Sequence, residues 1–281
     1  MFFSRVILTS LVLFGCLAHA RYLVERDSVA DGRIEAKFRS KIVAFLQRKV
    51  NALVSTKDNP NTNLINLAYS IAEDNDYTFA VLRSFSDFNA NILNIGTERL
   101  EGCTVLTVVS RKAVYMAHFF ENLAFAPDDG KAPDSAFEQN CINQITGRGQ
   151  TWRTRGDSID PSLFTGNNGP AFAYIMTPRQ EQADPTRQNP NPPVPGPDTQ
   201  LYAERMRQLS QTLTSLIPGL WVVYYNYIAA NAAQYEEQDA QQHRGKALFE
   251  YDPNADGNNN ANFRIWYEQN MENGQGAGLF A

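Results

Sequence analysis

Cysteine and histidine are scarce in this chain of 281 residues, which contains three of each. Scaffolds that depend on several disulfides are rich in cysteine, so that class of secreted protein is excluded. No C-x-x-C or H-x-x-x-H spacing brings two metal ligands together, and we expect neither a metal site nor a cofactor. The G-x-S-x-G motif of many serine hydrolases is absent as well.

A basic excess is also lacking, because 25 Lys and Arg residues face 30 Asp and Glu residues and the net charge is −5. We therefore expect no nucleic-acid partner held by bulk electrostatics. The hydrophobic content of 43% is that of a globular protein rather than a disordered one. No sequence of the form Asn-x-Ser/Thr occurs, so N-glycosylation is not expected.

The first twenty residues have the order of a secretory signal peptide. Arg5 is followed by the apolar run Val6–Leu17 and then by the small residues of Ala18-His19-Ala20. That run is shorter than the roughly 20 apolar residues that span a bilayer. The pattern predicts a signal peptide over residues 1–20, an extracellular mature protein over 21–281, and no membrane insertion after cleavage.

The mature chain mixes helical and strand patterns without a βαβ rhythm. This arrangement predicts a single α+β domain over residues 21–281, with an antiparallel or mixed β-sheet core and flanking helices. Apolar spacing predicts helices at Ile34–Leu53, Leu64–Glu73, Asp134–Ile145, Tyr202–Ile217 and in the run Ala229–Gln242. Strand signals occur at Tyr77–Phe85, Thr104–Val109, Ala113–Phe120, Ala171–Met176, Trp221–Tyr225, Ala247–Tyr251 and Phe263–Tyr267.

Two segments between these elements have distinctive compositions. Residues 178–198 hold half of the fourteen prolines and predict an exposed loop. The turn Asp252–Asn260 places oxygen-bearing residues at positions 1, 3 and 5 of a calcium loop and Gly257 at position 6. Position 12 is Phe263 where a glutamate is required, so a Gly/Asn-rich turn is the better interpretation.

The segment from Gly102 to His118 carries the clearest chemical signal. A hairpin would bring Cys103, at the entry of one strand, towards His118, near the end of the returning strand. An adjacent imidazole lowers the pKa of a thiol and shuttles its proton, so the pair predicts a nucleophile with its acid/base. Gly102 would admit a substrate close to the backbone, and the amides of Cys103 and Thr104 could donate to an oxyanion.

These residues resemble the catalytic stretch of the cytotoxic necrotizing factor family of glutamine deamidases. The resemblance rests on Gly-Cys-Thr, a β-branched run, Arg111-Lys112, Tyr115 and a histidine fifteen residues after the cysteine, about twenty residues in all. The chemoreceptor glutamine deamidases share the Cys-then-His order. The resemblance implies that Cys103 attacks a glutamine carboxamide on a protein substrate and that His118 relays protons. The segment also resembles secreted proteins of filamentous fungi, which implies an effector or toxin-like enzyme.

Two other interpretations of Cys103 remain open at this level. Paired cysteines are common in secreted proteins, and a Cys103–Cys141 disulfide would leave a non-catalytic interaction protein. His243 lies 140 residues after Cys103, within the separation of papain-like proteases. That fold begins a helix at its cysteine, whereas Thr104–Val109 favours a strand.

The signal peptide leads to a direct prediction. Ala18 and Ala20 match the small residues that signal peptidase requires, so we expect the secreted protein to begin at Arg21. N-terminal sequencing of the secreted protein tests this, and secreted material that retains Met1 would contradict it.

Overall fold

A computed structural model describes residues 44–54, 62–67, 70–71, 76–88, 91–128, 130–149, 155–166, 170–180, 196–229, 244–268 and 270–273. All of these residues fall within one compact unit. The predicted signal peptide, residues 230–242 of the predicted helix Ala229–Gln242 and the centre of the proline-rich loop lie outside the described residues. No helix among the described residues is long and apolar enough to cross a membrane.

The strands form two mixed sheets. The strands are β1 (Leu64–Asn66), β2 (Ser70–Ile71), β3 (Asp76–Ser84), β4 (Leu93–Thr97), β5 (Thr104–Val109), β6 (Ala113–Phe119), β7 (Arg155–Gly156), β8 (Phe172–Pro178), β9 (Trp221–Tyr227), β10 (Ala247–Asp252), β11 (Asn262–Tyr267) and β12 (Asn270–Asn273). The five-stranded sheet has the order β1-β4-β10-β11-β12. The seven-stranded sheet has the order β2-β3-β6-β5-β8-β9, with β7 paired to β3. The predicted α+β class with a mixed sheet core is confirmed.

Helices cover both outer faces of the two sheets. Residues 44–50 form α1, whose Leu46 and Val50 pack against Leu248 and Trp266 of the five-stranded sheet. The other helices are α2 (Pro133–Phe137), which continues through a π-helical turn (Glu138–Ile142) into α3 (Asn143–Thr146), and α4 (Ala203–Leu216). These three helices cover the far face of the seven-stranded sheet.

Strands β5 and β6 lie in the interior of the seven-stranded sheet and are buried along their whole lengths. Their side chains alternate between two apolar layers, because successive residues of a strand point to opposite faces. Leu106 and Tyr115 face the helices, in what we call the helix-side layer. Val105 and Met116 face the five-stranded sheet, in the inter-sheet layer. Polar and apolar residues do not alternate along Thr104–Val109, because this strand is buried on both faces.

One predicted element is wrong. Leu64–Glu73 was expected to be a helix, but Leu64–Asn66 is β1 and Ser70–Ile71 is β2. Strand β1 pairs in parallel with β4, a strand that the sequence pattern did not indicate. A parallel pairing joins distant segments, so its stabilisation overrides the local helical preference of Leu64–Asn66.

The two unusual loops are partly described. Both ends of the proline-rich loop pair with each other, since the amide of Leu201 donates to the carbonyl of Pro178 and that of Gln180 donates to the carbonyl of Thr199. In the turn after β10, the Asp256 carboxylate accepts hydrogen bonds from Asn258 and Asn260, which lower its pKa to about 2. These local bonds stabilise a Gly/Asn-rich turn, as expected from the sequence.

The interior position of β5 predicts a large cost for truncating its central side chain. Leu106 is fully buried, so Leu106→Ala should lower the free energy of unfolding by about 2–5 kcal/mol. Arg111→Ala, in the exposed turn between β5 and β6, is the control and should change it by less than about 0.5 kcal/mol. Urea denaturation of both variants measures the difference, and equal effects would contradict the described packing.

Candidate functional site

The β5–β6 hairpin places Cys103 and His118 on the same face of the seven-stranded sheet. The hairpin is antiparallel, with Val105 opposite His118 and Thr104 opposite Phe119. Extending this register by one residue puts Cys103 opposite Phe120, so Cys103 and His118 are diagonal neighbours. Such neighbours are about 7–8 Å apart, within reach of longer side chains. Both side chains belong to the inter-sheet layer, where Cys103 packs at the edge of the apolar cluster.

His118 is held by a hydrogen bond that crosses between the two sheets. Its Nδ1 lies 2.7 Å from Oγ1 of Thr97, at the end of β4 in the five-stranded sheet. The other ring nitrogen, Nε2, is buried, and no residue that the structure describes forms a hydrogen bond with it. The ring stacks on Phe120, with centroids 4.3 Å apart and planes 18° from parallel. One nitrogen thus orients the ring, and the second is not used by the described part of the chain.

Both members of the pair are electrically neutral at rest. Burial lowers the pKa of His118 to about 3. Burial also raises the pKa of the Cys103 thiol to about 12, and the carboxylates of Glu121 and Glu101 raise it further against the lowering effect of nearby backbone amides. The expectation of a low thiol pKa is therefore wrong for the resting structure. Desolvation disfavours both charged forms, so a thiolate–imidazolium pair does not form in advance.

Cys103 and His118 are close but not bonded to each other. The one hydrogen bond of the His118 ring is the bond to Thr97, and among the described residues none joins it to the thiol. His118 is 1% exposed, whereas Cys103 is partly accessible. A substrate would therefore meet the thiol first and the imidazole behind it.

The predicted oxyanion segment has a well-defined backbone. The carbonyl of Cys103 accepts a hydrogen bond of 2.7 Å from the hydroxyl of Tyr227, and the Thr104 hydroxyl lies 2.8 Å from that of Thr177. The backbone amide of Gly102 acts on the Tyr227 hydroxyl, whose pKa it lowers against the larger, raising effect of burial. Among the described residues, no backbone acceptor is found for the N–H of Cys103, so this amide is the donor available to a developing oxyanion.

Gly102 does not provide the open approach that the sequence suggested. A Cβ atom at this position would overlap with the carboxylate of Glu121, whose Oε2 is the nearest atom. The Oε1 atom of Glu121 accepts a short hydrogen bond from the hydroxyl of Tyr202, just before α4. The absence of a side chain at Gly102 therefore makes room for Glu121, and a substrate would approach beside this carboxylate.

The Cys103–Cys141 disulfide is not formed. Both cysteines are free thiols. Cys141 lies in the π-helical turn and is buried in the helix-side layer, whereas Cys103 packs against the inter-sheet layer. The seven-stranded sheet separates the two side chains, so a bond between them would require the sheet to rearrange.

Several residues of the site were not identified from the sequence. Thr97 precedes His118 by 21 residues and belongs to the other sheet, so no local pattern connects the two. Tyr202 lies 81 residues beyond Glu121. Glu121 does follow the hairpin directly, and a carboxylate at the end of the Gly102–Phe120 stretch was the one available signal. No group of three or more potential metal ligands occurs among the described residues. His243 of the papain-like alternative lies outside them.

No protein-family model matches the chain, and a comparison with curated proteins finds no match. The chemistry of the site is consequently argued from its geometry.

The burial of His118 predicts a dependence of stability on pH. Its pKa is about 3 in the folded state and about 6.5 in an unfolded chain, so between these values only the unfolded state takes up the proton. The free energy of unfolding should therefore fall as the pH drops below 6.5, with a loss of about 2 kcal/mol from this group at pH 5. Urea denaturation at pH 7 and pH 5 measures this loss.

The control is His118→Asn, which keeps a polar group beside Thr97 but cannot titrate in this range. The variant should be less stable than the original protein at pH 7 and should lose less stability on acidification. An equal loss in both proteins would contradict the buried, neutral state of His118.

Proposed function

We propose that the protein is a secreted thiol hydrolase that converts glutamine side chains of a protein substrate to glutamate. Cys103 is the nucleophile, His118 the acid/base, and Thr97 the group that orients His118. One observation carries this assignment. One ring nitrogen of His118 is hydrogen-bonded to Thr97 of the five-stranded sheet. The other nitrogen is buried and has no partner among the described residues, and His118 shares a sheet face with Cys103.

The hydrogen bond to Thr97 is compatible with either tautomer of His118, and one of the two provides a base. If Nδ1 carries the proton and donates it to the Thr97 hydroxyl, Nε2 is left as a lone-pair acceptor. A neutral imidazole in this state is a general base, because it can take the thiol proton as the sulfur attacks. The low pKa of His118 keeps it in this neutral form at physiological pH but also makes it a weak base, so the thiol proton can move only together with formation of the C–S bond. The pair thus fits a mechanism in which deprotonation accompanies attack.

The reaction can be written with each proton accounted for. The Cys103 sulfur attacks the carboxamide carbon while the thiol proton passes to Nε2 of His118, and the amide of Cys103 donates to the developing oxyanion. Collapse of the tetrahedral intermediate breaks the C–N bond, and His118 returns the proton to the leaving ammonia. Water then attacks the thioester, with His118 as base, and the products are glutamate and a restored thiol.

The secretory part of the proposal rests on the order of charge, apolar run and small residues in 1–20. An extracellular enzyme acting on a protein fits a thiol that is partly accessible, because a protruding glutamine side chain can approach it.

A second candidate function is favoured by the burial of His118. A non-catalytic secreted interaction protein also accounts for a neutral histidine, 1% exposed, that joins the two sheets. The disulfide is no longer part of this alternative, since both thiols are free. In that case Cys103 is a packing residue at the edge of the inter-sheet layer, and its removal has no chemical consequence.

A deamidation assay separates the two functions. The mature protein is incubated with synthetic peptides that each carry one glutamine in a different flanking sequence, and ammonia release and the glutamine-to-glutamate mass shift are measured. Cys103→Ala should abolish both signals. Thr97→Val, which removes only the hydroxyl that orients the ring, should lower the rate by about 10–100-fold and leave peptide binding unchanged.

Cys141→Ala is the matched control, because it removes the other free thiol from the far side of the sheet. It should retain the full rate. The proposal is overturned in favour of the interaction protein if Cys103→Ala retains activity. It is also overturned if the original protein is as inactive as that variant on every peptide.

A further inference from the structure

Glu121 lies close to the candidate site but has no role in the proposed mechanism. Its carboxylate lies directly over Gly102, where a Cβ atom would overlap the carboxylate in its observed position. Its charge raises the pKa of the neighbouring Cys103 thiol, while its own backbone amide has the opposite, lowering effect. A negative charge beside a nucleophilic thiol opposes thiolate formation, so its presence in the site calls for a different role.

The two oxygens of this carboxylate have different environments. Oε1 accepts the hydrogen bond from the Tyr202 hydroxyl, which fixes the carboxylate against the start of α4. Oε2 is the atom that faces Gly102, and no donor reaches it among the described residues. Glu121 is half-buried, so Oε2 is a partly desolvated acceptor above Gly102, the residue that precedes the thiol-bearing Cys103.

A primary carboxamide is complementary to this arrangement. It presents a carbonyl oxygen that accepts hydrogen bonds and an NH₂ group that donates two of them. The backbone amide of Cys103 can donate to the oxygen, and Oε2 can accept from the nitrogen. A carboxylate has no donor and carries a like charge, so the same site disfavours it.

We propose that Glu121 is a specificity-determining residue, whose Oε2 accepts an N–H of the substrate carboxamide and repels the carboxylate of the product. This inference rests on the proposed function, since it assigns the group that distinguishes glutamine from glutamate at the same thiol. Tyr202 is the positioning residue that holds Glu121 in place.

Small alkylating probes test this recognition without a known protein substrate. Iodoacetamide carries a primary carboxamide, and N,N-dimethyl-2-iodoacetamide is a neutral analogue without an N–H. The rate of alkylation of Cys103 by each reagent is followed by peptide mass mapping and divided by the rate with N-acetylcysteine. The ratio of the two corrected rates measures recognition of the N–H independently of the thiol pKa, because both reagents react with the same thiolate.

The original protein should prefer iodoacetamide, and Glu121→Met, which keeps the chain length but removes the acceptor, should lose about tenfold of that preference. Glu121→Gln, with a neutral acceptor, should be intermediate. Both variants lack the carboxylate charge, so their thiols should also react faster with the dimethyl reagent. Faster alkylation with a weaker preference is a combination that a purely structural role does not produce.

Glu101→Gln is the matched control. It removes another carboxylate that raises the pKa of Cys103, so its thiol should become more reactive while the preference for iodoacetamide stays the same. Tyr202→Phe should lower the preference by releasing Oε1. Melting temperatures of all variants show whether each one folds. If the Glu121 variants do not fold, the preference of Tyr202→Phe for iodoacetamide tests the inference instead.

An unchanged preference in Glu121→Met, or the same loss in Glu101→Gln, would overturn the inference. A Cys103 thiol that iodoacetamide cannot reach in the folded protein would also overturn it, because such a site cannot admit a glutamine side chain. The outcome of the deamidation assay is independent of this alkylation test. A preference that depends on Glu121 without any deamidation would refute the proposed hydrolysis and leave carboxamide recognition standing.

Discussion

The hydrogen bond between His118 and Thr97 is the interaction on which the site depends. It joins the end of β6 in one sheet to the end of β4 in the other, at 2.7 Å within an otherwise apolar layer. A buried imidazole is costly without a partner, and satisfying Nδ1 offsets part of that cost. The bond therefore sets the orientation of the ring and leaves Nε2 without a partner among the described residues. In a structural histidine both nitrogens would more often be satisfied.

Burial also sets the electrical state of the site. The same desolvation that lowers the pKa of His118 raises that of Cys103, so the two groups remain neutral together. Glu121 adds to this effect through its charge. In the proposed mechanism the thiol is activated only when a substrate is bound, because proton transfer to His118 must accompany attack. A neutral thiol is also less readily oxidised, since the thiolate is the reactive form.

The packing around Gly102 connects the candidate nucleophile to the helices. Glu121 occupies the space above this glycine and is held by Tyr202, while Tyr227 at the end of β9 donates to the carbonyl of Cys103. The short segment that carries the thiol is thus fixed on one side by the helix-side layer and on the other by the edge of its own sheet. Residues far apart in sequence hold it in place, as rigid support for a reacting group requires.

Much of the fold was readable from the sequence, because its signals are local. The periodicity of apolar residues and the residue composition predicted the β5–β6 hairpin, the C-terminal hairpin and helix α4. The β5–β6 hairpin placed Cys103 and His118 near each other. Parallel pairing of β1 with β4 was missed, since its partners lie about 30 residues apart and β1 has a helical pattern. A strand pairing of this kind is set by burial on both faces, which no short window of sequence reports.

The sequence by itself determined which residue types can do chemistry here and the hairpin that brings Cys103 and His118 to one face. Only the tertiary structure decided their states. It placed Cys141 behind the sheet and so excluded the disulfide, supplied Thr97 from the second sheet, and set Glu121 over Gly102. The reason is physical: an alternating strand fixes the direction of a side chain, but its pKa and its partners depend on the layers that pack against it.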